Sequence, residues 1–350
     1  MPTVAIIGAG SSGLAAAHVF RAAGYSVTIF EKSRGVGGRA ATRQREGFIY
    51  DHGAQYIKDA NSTGAISHAL ITERFRTTDL IDIGKPVWTF DHAEHIQEGD
   101  AQQNAEPKWS YRNGMTSLAK RMAEGLTIHL NTCVGLLQQT HQGWVLFDSD
   151  GLALGEFAQL LITIPIPQAL TLIEHSLFVD DIQGSIQQVL GAARYNPLLS
   201  VMLGYRPTPR KRPYYALVNT DKAHPISWLA WEHEKAPERA PQGAGLLIAQ
   251  MAPQYSKDHW KLPDEQAVVR DVASLVAALL AEDLPAPMFS DVQHWLYALP
   301  SDKANADAIN MQTMPHGLAF CGDGFVGGRV HLALEHGVQV ARQLIGLEPH

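Results

Sequence analysis

Gly8, Gly10 and Gly13 stand at the spacing G-x-G-x-x-G in the run Gly8-Ala9-Gly10-Ser11-Ser12-Gly13, a pattern suited to holding phosphate. The first glycine permits a tight turn, the second lets the main chain approach a pyrophosphate, and the third lets a helix pack on a strand. Such a turn must join a strand to a helix N-terminus, where unpaired N–H groups and the helix dipole favour an anion. Val4-Ala5-Ile6-Ile7 supplies the apolar strand, residues 14–23 read as the helix, and Gly24 ends it. Tyr25-Ser26-Val27-Thr28-Ile29-Phe30 is then a second strand delivering Glu31, whose carboxylate suits the hydroxyls of an adenosine ribose. Ser12 belongs to the turn itself. Directly after Glu31, the run Lys32-Ser33-Arg34-Gly35-Val36-Gly37-Gly38-Arg39 adds a second glycine cluster and two arginines. Glycine at Gly38 lets the main chain pass under a bulky cofactor, and Arg39 can fork onto the diphosphate. A simple nicotinamide dehydrogenase has no use for this second cluster.

In this order of motifs the chain resembles the FAD-binding flavoprotein oxidases of the amine-oxidase and renalase group. Three later segments narrow the resemblance to the bacterial-type renalases. Asp51-His52-Gly53-Ala54-Gln55-Tyr56 is similar to that family's segment running past the flavin ring, and Gln293-His294-Trp295-Leu296-Tyr297-Ala298 to its W-x-Y strand. Cys321-Gly322-Asp323 with Gly327-Gly328-Arg329-Val330 is similar to its C-terminal flavin motif. The resemblance implies a non-covalently held FAD. The expected cofactor residues are Gly8, Gly10, Ser12, Gly13, Glu31, Lys32, Gly38, Arg39, Gly53, Ala54, Gln55, Val134, Gly322, Asp323, Arg329 and Val330, with backbone at Val134 touching the adenine. It also implies that Trp295 and Tyr297 wall the flavin and that Tyr56 and Trp228 lie beside the substrate. Trp228 and Trp231, like Trp295 and Tyr297, are expected to share one face of a sheet. The helix opening at Val330 would turn its positive end toward the flavin's pyrimidine side, where reduction leaves negative charge. Asp323 would bond the ribityl chain or accept from a diphosphate-bound water.

Bulk composition fits an enzyme with a substantial core. The chain has 350 residues, 45% hydrophobic and 18% charged, which suggests two domains. Its formal net charge of −7 gives no general attraction for nucleic acid. No apolar run approaches the ~20 residues that span a bilayer, and the phosphate loop begins too early for a cleaved leader, so the expected compartment is the cytoplasm. Cys133 and Cys321 lie in apolar strand contexts and read as core thiols without metal-ligand spacing. His92 and His95 lack a third ligand, so no metal is expected.

The expected fold class is α/β: a Rossmann-like FAD-binding domain with a parallel sheet and a β-meander, and a second α+β domain on an antiparallel sheet. Residues 1–57, 108–167 and 285–350 are assigned to the FAD-binding domain, and 58–107 and 168–284 to the substrate domain. Residues 134–139, 144–149 and 157–163 read as the three meander strands. In the second domain, strands are expected near 198–205, 226–231 and 245–251, followed by a helix over 264–282.

The resemblance implies an oxidase that takes hydride from isomeric dihydronicotinamide dinucleotides, 2- or 6-dihydro-NAD(P), and passes electrons to dioxygen to form hydrogen peroxide. Alignment matters more than acid or base for such a step, and the sequence marks no catalytic acid or base. Two alternatives stand beside it. One is a flavin-dependent amine oxidase, although no lysine stands in a context that marks it for a flavin-linked role. The other is a binding scaffold like the GDP-dissociation inhibitors, which the intact Gly37-Gly38-Arg39 and Gly322-Asp323 argue against. In either enzymatic reading the partners are a small-molecule substrate and dioxygen, with neither nucleic acid nor a membrane.

Overall fold

A computed structural model describes residues 1–58, 65–179, 181–261 and 264–346. The continuous apolar run Val4-Ala5-Ile6-Ile7 buries both faces of the strand Thr3–Ile7, which forces it to the centre of a covered sheet. That sheet has five parallel strands in the order Thr127–His129, Ser26–Phe30, Thr3–Ile7, Gln159–Ile162, Leu318–Phe320. Helix Ser11–Ala22 covers one face. Its Leu14, Ala15 and Ala17 share a core with Leu334, Val338 and Ala341 of the C-terminal helix Val330–Leu344. The opposite face packs on helix Ile166–His175 and the meander, through Leu137, Trp144, Leu146, Ile173 and Phe320. The first strand and the last helix of the chain therefore belong to one body.

The meander is formed by Val134–Thr140, Gly143–Asp148 and Ala153–Phe157. Its third strand lies earlier than expected, because Gln159–Ile162 is a separate strand that leaves the meander and enters the parallel sheet beside Thr3–Ile7. Ala158, whose N–H donates to Thr3 Oγ1 at 3.0 Å, marks that corner.

The second body is a seven-stranded sheet in the order Phe289–Asp302, Arg194–Tyr205, Gly245–Met251, Ile226–Trp231, Ala216–Asn219, Val87–Phe90, Ile96–Gln97. All its neighbours are antiparallel except Ala216–Asn219 against Val87–Phe90. Strand Phe289–Asp302 falls within residues 285–350, the segment expected in the FAD-binding domain. It runs instead along the edge of this sheet, where its antiparallel ladder with Arg194–Tyr205 holds it. Helix Glu265–Leu280 covers the outer face, burying Val268, Val272 and Val276 against Val201, Leu203, Leu229 and Leu247. Asp264 caps its start by accepting from Gln266 N–H at 2.9 Å. The inner face carries Met202, Leu246 and Ile248, which pack on Phe48 and Tyr50 of strand Phe48–Asp51.

Side-chain parity corrects one expectation. Trp231 is fully buried in the core under helix Glu265–Leu280, whereas Trp228 packs with Tyr56, Tyr215 and Ala230 on the inner side. The two tryptophans lie three positions apart, an odd spacing, so a strand turns them to opposite faces. Cys321 is buried as expected, and burial pushes its thiol up to about 12. Cys133 is exposed, at the turn just ahead of the meander. Among the described residues, no helix is long and apolar enough to cross a membrane.

Candidate active site

Helix Ser11–Ala22 begins without a side-chain cap and without an acid in its first turn, so its leading N–H groups stay available for an anion. Gly8 turns at φ +107°, a conformation L side chains rarely adopt, and an added Cβ at Gly10 would meet nothing within 4 Å. At Gly13 a Cβ would sit 2.2 Å from Gly8 O, so the helix can close on the turn only with glycine there. Glu31 Oε2 accepts from Ala9 N–H at 2.8 Å and Oε1 from Ser33 N–H at 2.8 Å. The carboxylate thus ties the phosphate loop to the second strand. Each oxygen keeps a lone pair for a further donor. The loop before Val134 lies on the same strand end, with Thr132 N–H donating to Glu31 O at 2.9 Å. Lys32 is exposed beside it.

The second glycine cluster folds directly onto the first. Gly37 N–H donates to Ala9 O at 2.9 Å, and a Cβ on Gly38 would lie 3.6 Å from Gly10 Cα. From there Arg39 reaches the far end of the chain: Nη1 donates to Asp323 Oδ2 at 2.8 Å and to Tyr297 O at 2.8 Å, and Nη2 donates to Asp323 Oδ1 at 2.5 Å. Its ring neighbour Tyr195 lies 5.8 Å below the guanidinium. Of five guanidinium protons these bonds use three, leaving Nε–H and one Nη2 proton. Gly322 closes on the phosphate loop too, since a Cβ there would be 3.6 Å from Ser12 Oγ. Val330 shares a small apolar cavity with Ser11 and Ile57. The helix it opens has no side-chain cap either. Front, middle and tail motifs therefore meet at one place.

The middle segment is held tightly. A Cβ at Gly53 would fall 2.1 Å from Arg39 O and 3.4 Å from the Trp295 ring, so only glycine passes between them. Ala54 N–H donates to Arg39 O at 2.9 Å, and Gln250 Nε2 donates to Gly53 O at 2.7 Å from the large sheet. Trp295 stacks on His52 with ring centroids 5.3 Å apart and 14° between planes, and its Nε1–H donates to His52 O at 2.8 Å. Burial, assisted by the Arg43 charge, pushes the His52 imidazole down to about 4, so it stays neutral at physiological pH. His294 turns to the other side of the strand and meets Trp260 edge-on at 5.2 Å.

Register places the aromatic residues along the sheet. Trp228 faces Gln250, Gln250 faces Ser200, and Ser200 faces Gln293, two residues before Trp295. Residues opposite one another, and those two apart, share a face, so Trp228 and Trp295 lie on the same inner surface. Two strands separate them, which at the usual strand spacing is about 14 Å. They cannot sandwich one ring. Trp228 instead pairs with Tyr56 at 6.1 Å, and Tyr297 meets Tyr195 edge-on at 5.9 Å. The floor between consists of Gln250, Ser200 and Gln293. Gln55 Oε1, His52 Nδ1 and Trp228 Nε1 are buried there without a protein partner.

One group escaped the sequence reading altogether. Asp51, Glu232, Lys235 and Arg239 form a fully buried quartet behind the middle segment, with Lys235 Nζ 2.9 Å from Asp51 Oδ2 and 2.7 Å from Glu232 Oε2. Arg239 Nη2 lies 3.0 Å from Asp51 Oδ2, while its Nη1 bonds Glu232. Burial opposes the Asp51 charge, but Arg239 and Lys235 overcome it and hold its carboxyl below the usual carboxylate range. For Glu232 burial wins, and its carboxyl is raised in spite of the same two cations. A signal was present in the sequence: Glu232, Lys235 and Arg239 put opposite charges at i, i+3 and i+7 directly after a buried strand.

Comparison with known proteins defines the class. The sequence profile described as flavin containing amine oxidoreductase matches residues 82–345, and that of an NAD(P)-binding Rossmann-like domain matches residues 6–71. The chain belongs to the flavin-containing amine oxidoreductase family and is an FAD-dependent oxidoreductase. More particularly, its fold is shared with cyclohexylamine oxidase from Brevibacterium oxydans IH-35A, at TM-score 0.74 and 15% identity over 98% of both chains. Putrescine oxidase with bound putrescine is similar at TM-score 0.71 and 17% identity, over 98% of this chain and 100% of that one. Reduced UDP-galactopyranose mutase is similar at TM-score 0.75 and 13% identity, over 100% and 97%. A local match to 4,4'-diapophytoene desaturase of Staphylococcus haemolyticus (strain JCSC1435) is 50% identical over 54 residues. It covers 15% of this chain and 11% of the desaturase.

Proposed function

We propose that this protein is a renalase-like oxidase that takes hydride from a 2- or 6-dihydro isomer of NAD(P) and returns the aromatic dinucleotide. FAD supplies the two-electron acceptor and passes both electrons, with protons, to dioxygen to give hydrogen peroxide. Gly10, Gly13 and the open helix N-terminus would take the diphosphate, together with the two uncommitted protons of Arg39. Glu31 would take the ribose, and backbone at Val134 the adenine. Asp323 would take the ribityl chain, and the helix at Arg329 and Val330 the pyrimidine edge. Gly53, Ala54 and Gln55 would face the ring. The cradle fits such a group: the turn opens onto free space at Gly10, and Gln55 Oε1 beside the ring segment lacks a protein partner.

The observation that carries the substrate reading is the commitment of Lys235. Its ammonium faces Asp51 and Glu232, with the Tyr215 ring at 5.9 Å on a third side, which commits this lysine away from any water or amine at the ring. His52 is neutral and stacked. The cleft thus presents aromatic faces, amides and a hydroxyl, a surface that aligns a planar donor and keeps water away without acid–base help. Tyr56 and Trp228, in contact at 6.1 Å, favour a second reading as an amine oxidase, since two adjoining rings attract a cation.

Anaerobic mixing separates the two. Flavin bleaching by dihydronicotinamide isomers, followed on aeration by one hydrogen peroxide per substrate, is the expected result. Bleaching by benzylamine or putrescine alone overturns the proposal. The substrate is a small molecule in both readings, and a cytoplasmic site is proposed for the dinucleotide repair reaction.

A further inference from the structure

The buried quartet takes no part in binding or chemistry as described so far, yet every polar atom of Asp51 is engaged by it or by its neighbours. Asp51 N–H donates to Glu232 Oε1 at 3.1 Å. Oδ1 accepts from Thr42 Oγ1 at 2.6 Å and Met115 N–H at 2.8 Å, and Oδ2 accepts from Lys235 and Arg239. Asp51 O accepts from Gln55 Nε2. Arg239 carries the clamp further, donating to Tyr111 O at 2.6 Å. Asp51 therefore joins strand Thr42–Arg45, strand Lys108–Tyr111, the start of helix Thr116–Ala123 and the turn after Trp231. Two residues on lies Gly53, pinned to the large sheet by Gln250.

We infer that the Asp51, Glu232, Lys235 and Arg239 quartet is a charge-neutral anchor that positions residues 53–55 and sets the reactivity of the ring they face. The inference rests on the proposed seat of the flavin against Gly53-Ala54-Gln55. Two carboxylates and two cations, all without solvent, lie at hydrogen-bond distance from one another, and their formal charges sum to zero. Water cannot screen any imbalance there. Removing one cation leaves a net negative charge just behind the ring segment, which opposes a flavin gaining negative charge. Removing one carboxylate's charge does the reverse. A group acting only through packing would respond to both changes in the same direction.

The test uses the holoenzyme and sulfite, whose addition to the flavin puts negative charge on the ring and bleaches its visible band. Lys235→Met is expected to weaken sulfite binding on the order of tenfold, while Glu232→Gln strengthens it by a similar factor. The double variant, neutral again, is expected within about threefold of wild type, a coupling that independent packing defects would not produce. Lys235→Arg, which keeps the charge, is expected to stay close to wild type. If Lys235→Met fails to fold, the near-isosteric Glu232→Gln still decides the sign. Unchanged or weakened sulfite binding in Glu232→Gln, or a double variant no better than Lys235→Met, overturns the inference. A wild-type protein that retains no FAD refutes the seat itself instead.

Discussion

Arg39→Ala tests the joint between the two ends of the chain. The substitution deletes a fork onto Asp323 and a bond to Tyr297 O, each at 2.8 Å or less, plus whatever the remaining two protons hold. Charge-assisted bonds contribute about 1.5–3 kcal/mol each when buried. Here the guanidinium side chain is 27% and the carboxylate 13% exposed, so the low end applies and water recovers part of the loss. Counting one phosphate contact and the loosened Asp323, the seat should lose about 2–3 kcal/mol, which at tenfold per 1.4 kcal/mol weakens FAD binding about 30- to 140-fold. Arg39→Lys keeps a charge but not the fork, and should fall between. Titration of the apoprotein with FAD, read by flavin fluorescence, measures both. A melting temperature that drops while FAD affinity stays at the wild-type value would refute the reasoning, because Arg39 would then serve only to hold Asp323.

Three further expectations follow from the same geometry. Trp295→Ala should retain FAD but slow flavin reduction at least tenfold, measured by stopped-flow bleaching, whereas wild-type reduction rates would place the ring in the core alone. Glu31→Ala should weaken FAD binding and lower the melting temperature, since Ala9 N–H and Ser33 N–H both lose an acceptor at about 1–3 kcal/mol each if left dry. His52→Phe keeps a stacking partner for Trp295 but removes a titration. The folded imidazole sits near 4 against an ordinary 6.5, so its contribution is full above 6.5 and is lost as pH falls toward 4, where the unfolded chain binds a proton that the folded one refuses. Chemical denaturation across that window should show a shallower decline in the variant, by up to one proton's worth of slope.

Local signals carried the cofactor half of this reading. Strand, glycine turn, helix, strand and acid are contiguous over residues 4–31, so their chemistry is written in one stretch of chain, and the structure assembles them in that order. The segments at 51–56 and 321–330 were legible through their resemblance to a family, and Arg39 with Asp323 joins the front to the tail. What escaped was either parity or distance. Trp228 and Trp231 were given one face although an odd spacing turns them apart. The meander's last strand lies earlier than expected because no glycine or proline marks the corner at Ala158, where one strand ends at Phe157 and the next begins at Gln159. Asp51 meets Lys235 at a sequence separation of 184, and no local pattern announces which distant charge a buried carboxylate will find.

The order of strands also governs how this protein is made. Strand Gln159–Ile162 emerges from the ribosome long before its neighbour Leu318–Phe320, and five strands of the seven-stranded body must be synthesised in between. For that interval the nascent chain carries an open strand edge, an invitation to wrong pairing. Asp323 and the final helix arrive later still. A variant lacking residues 321–350 should therefore be a client of chaperones and proteases, not a weaker enzyme.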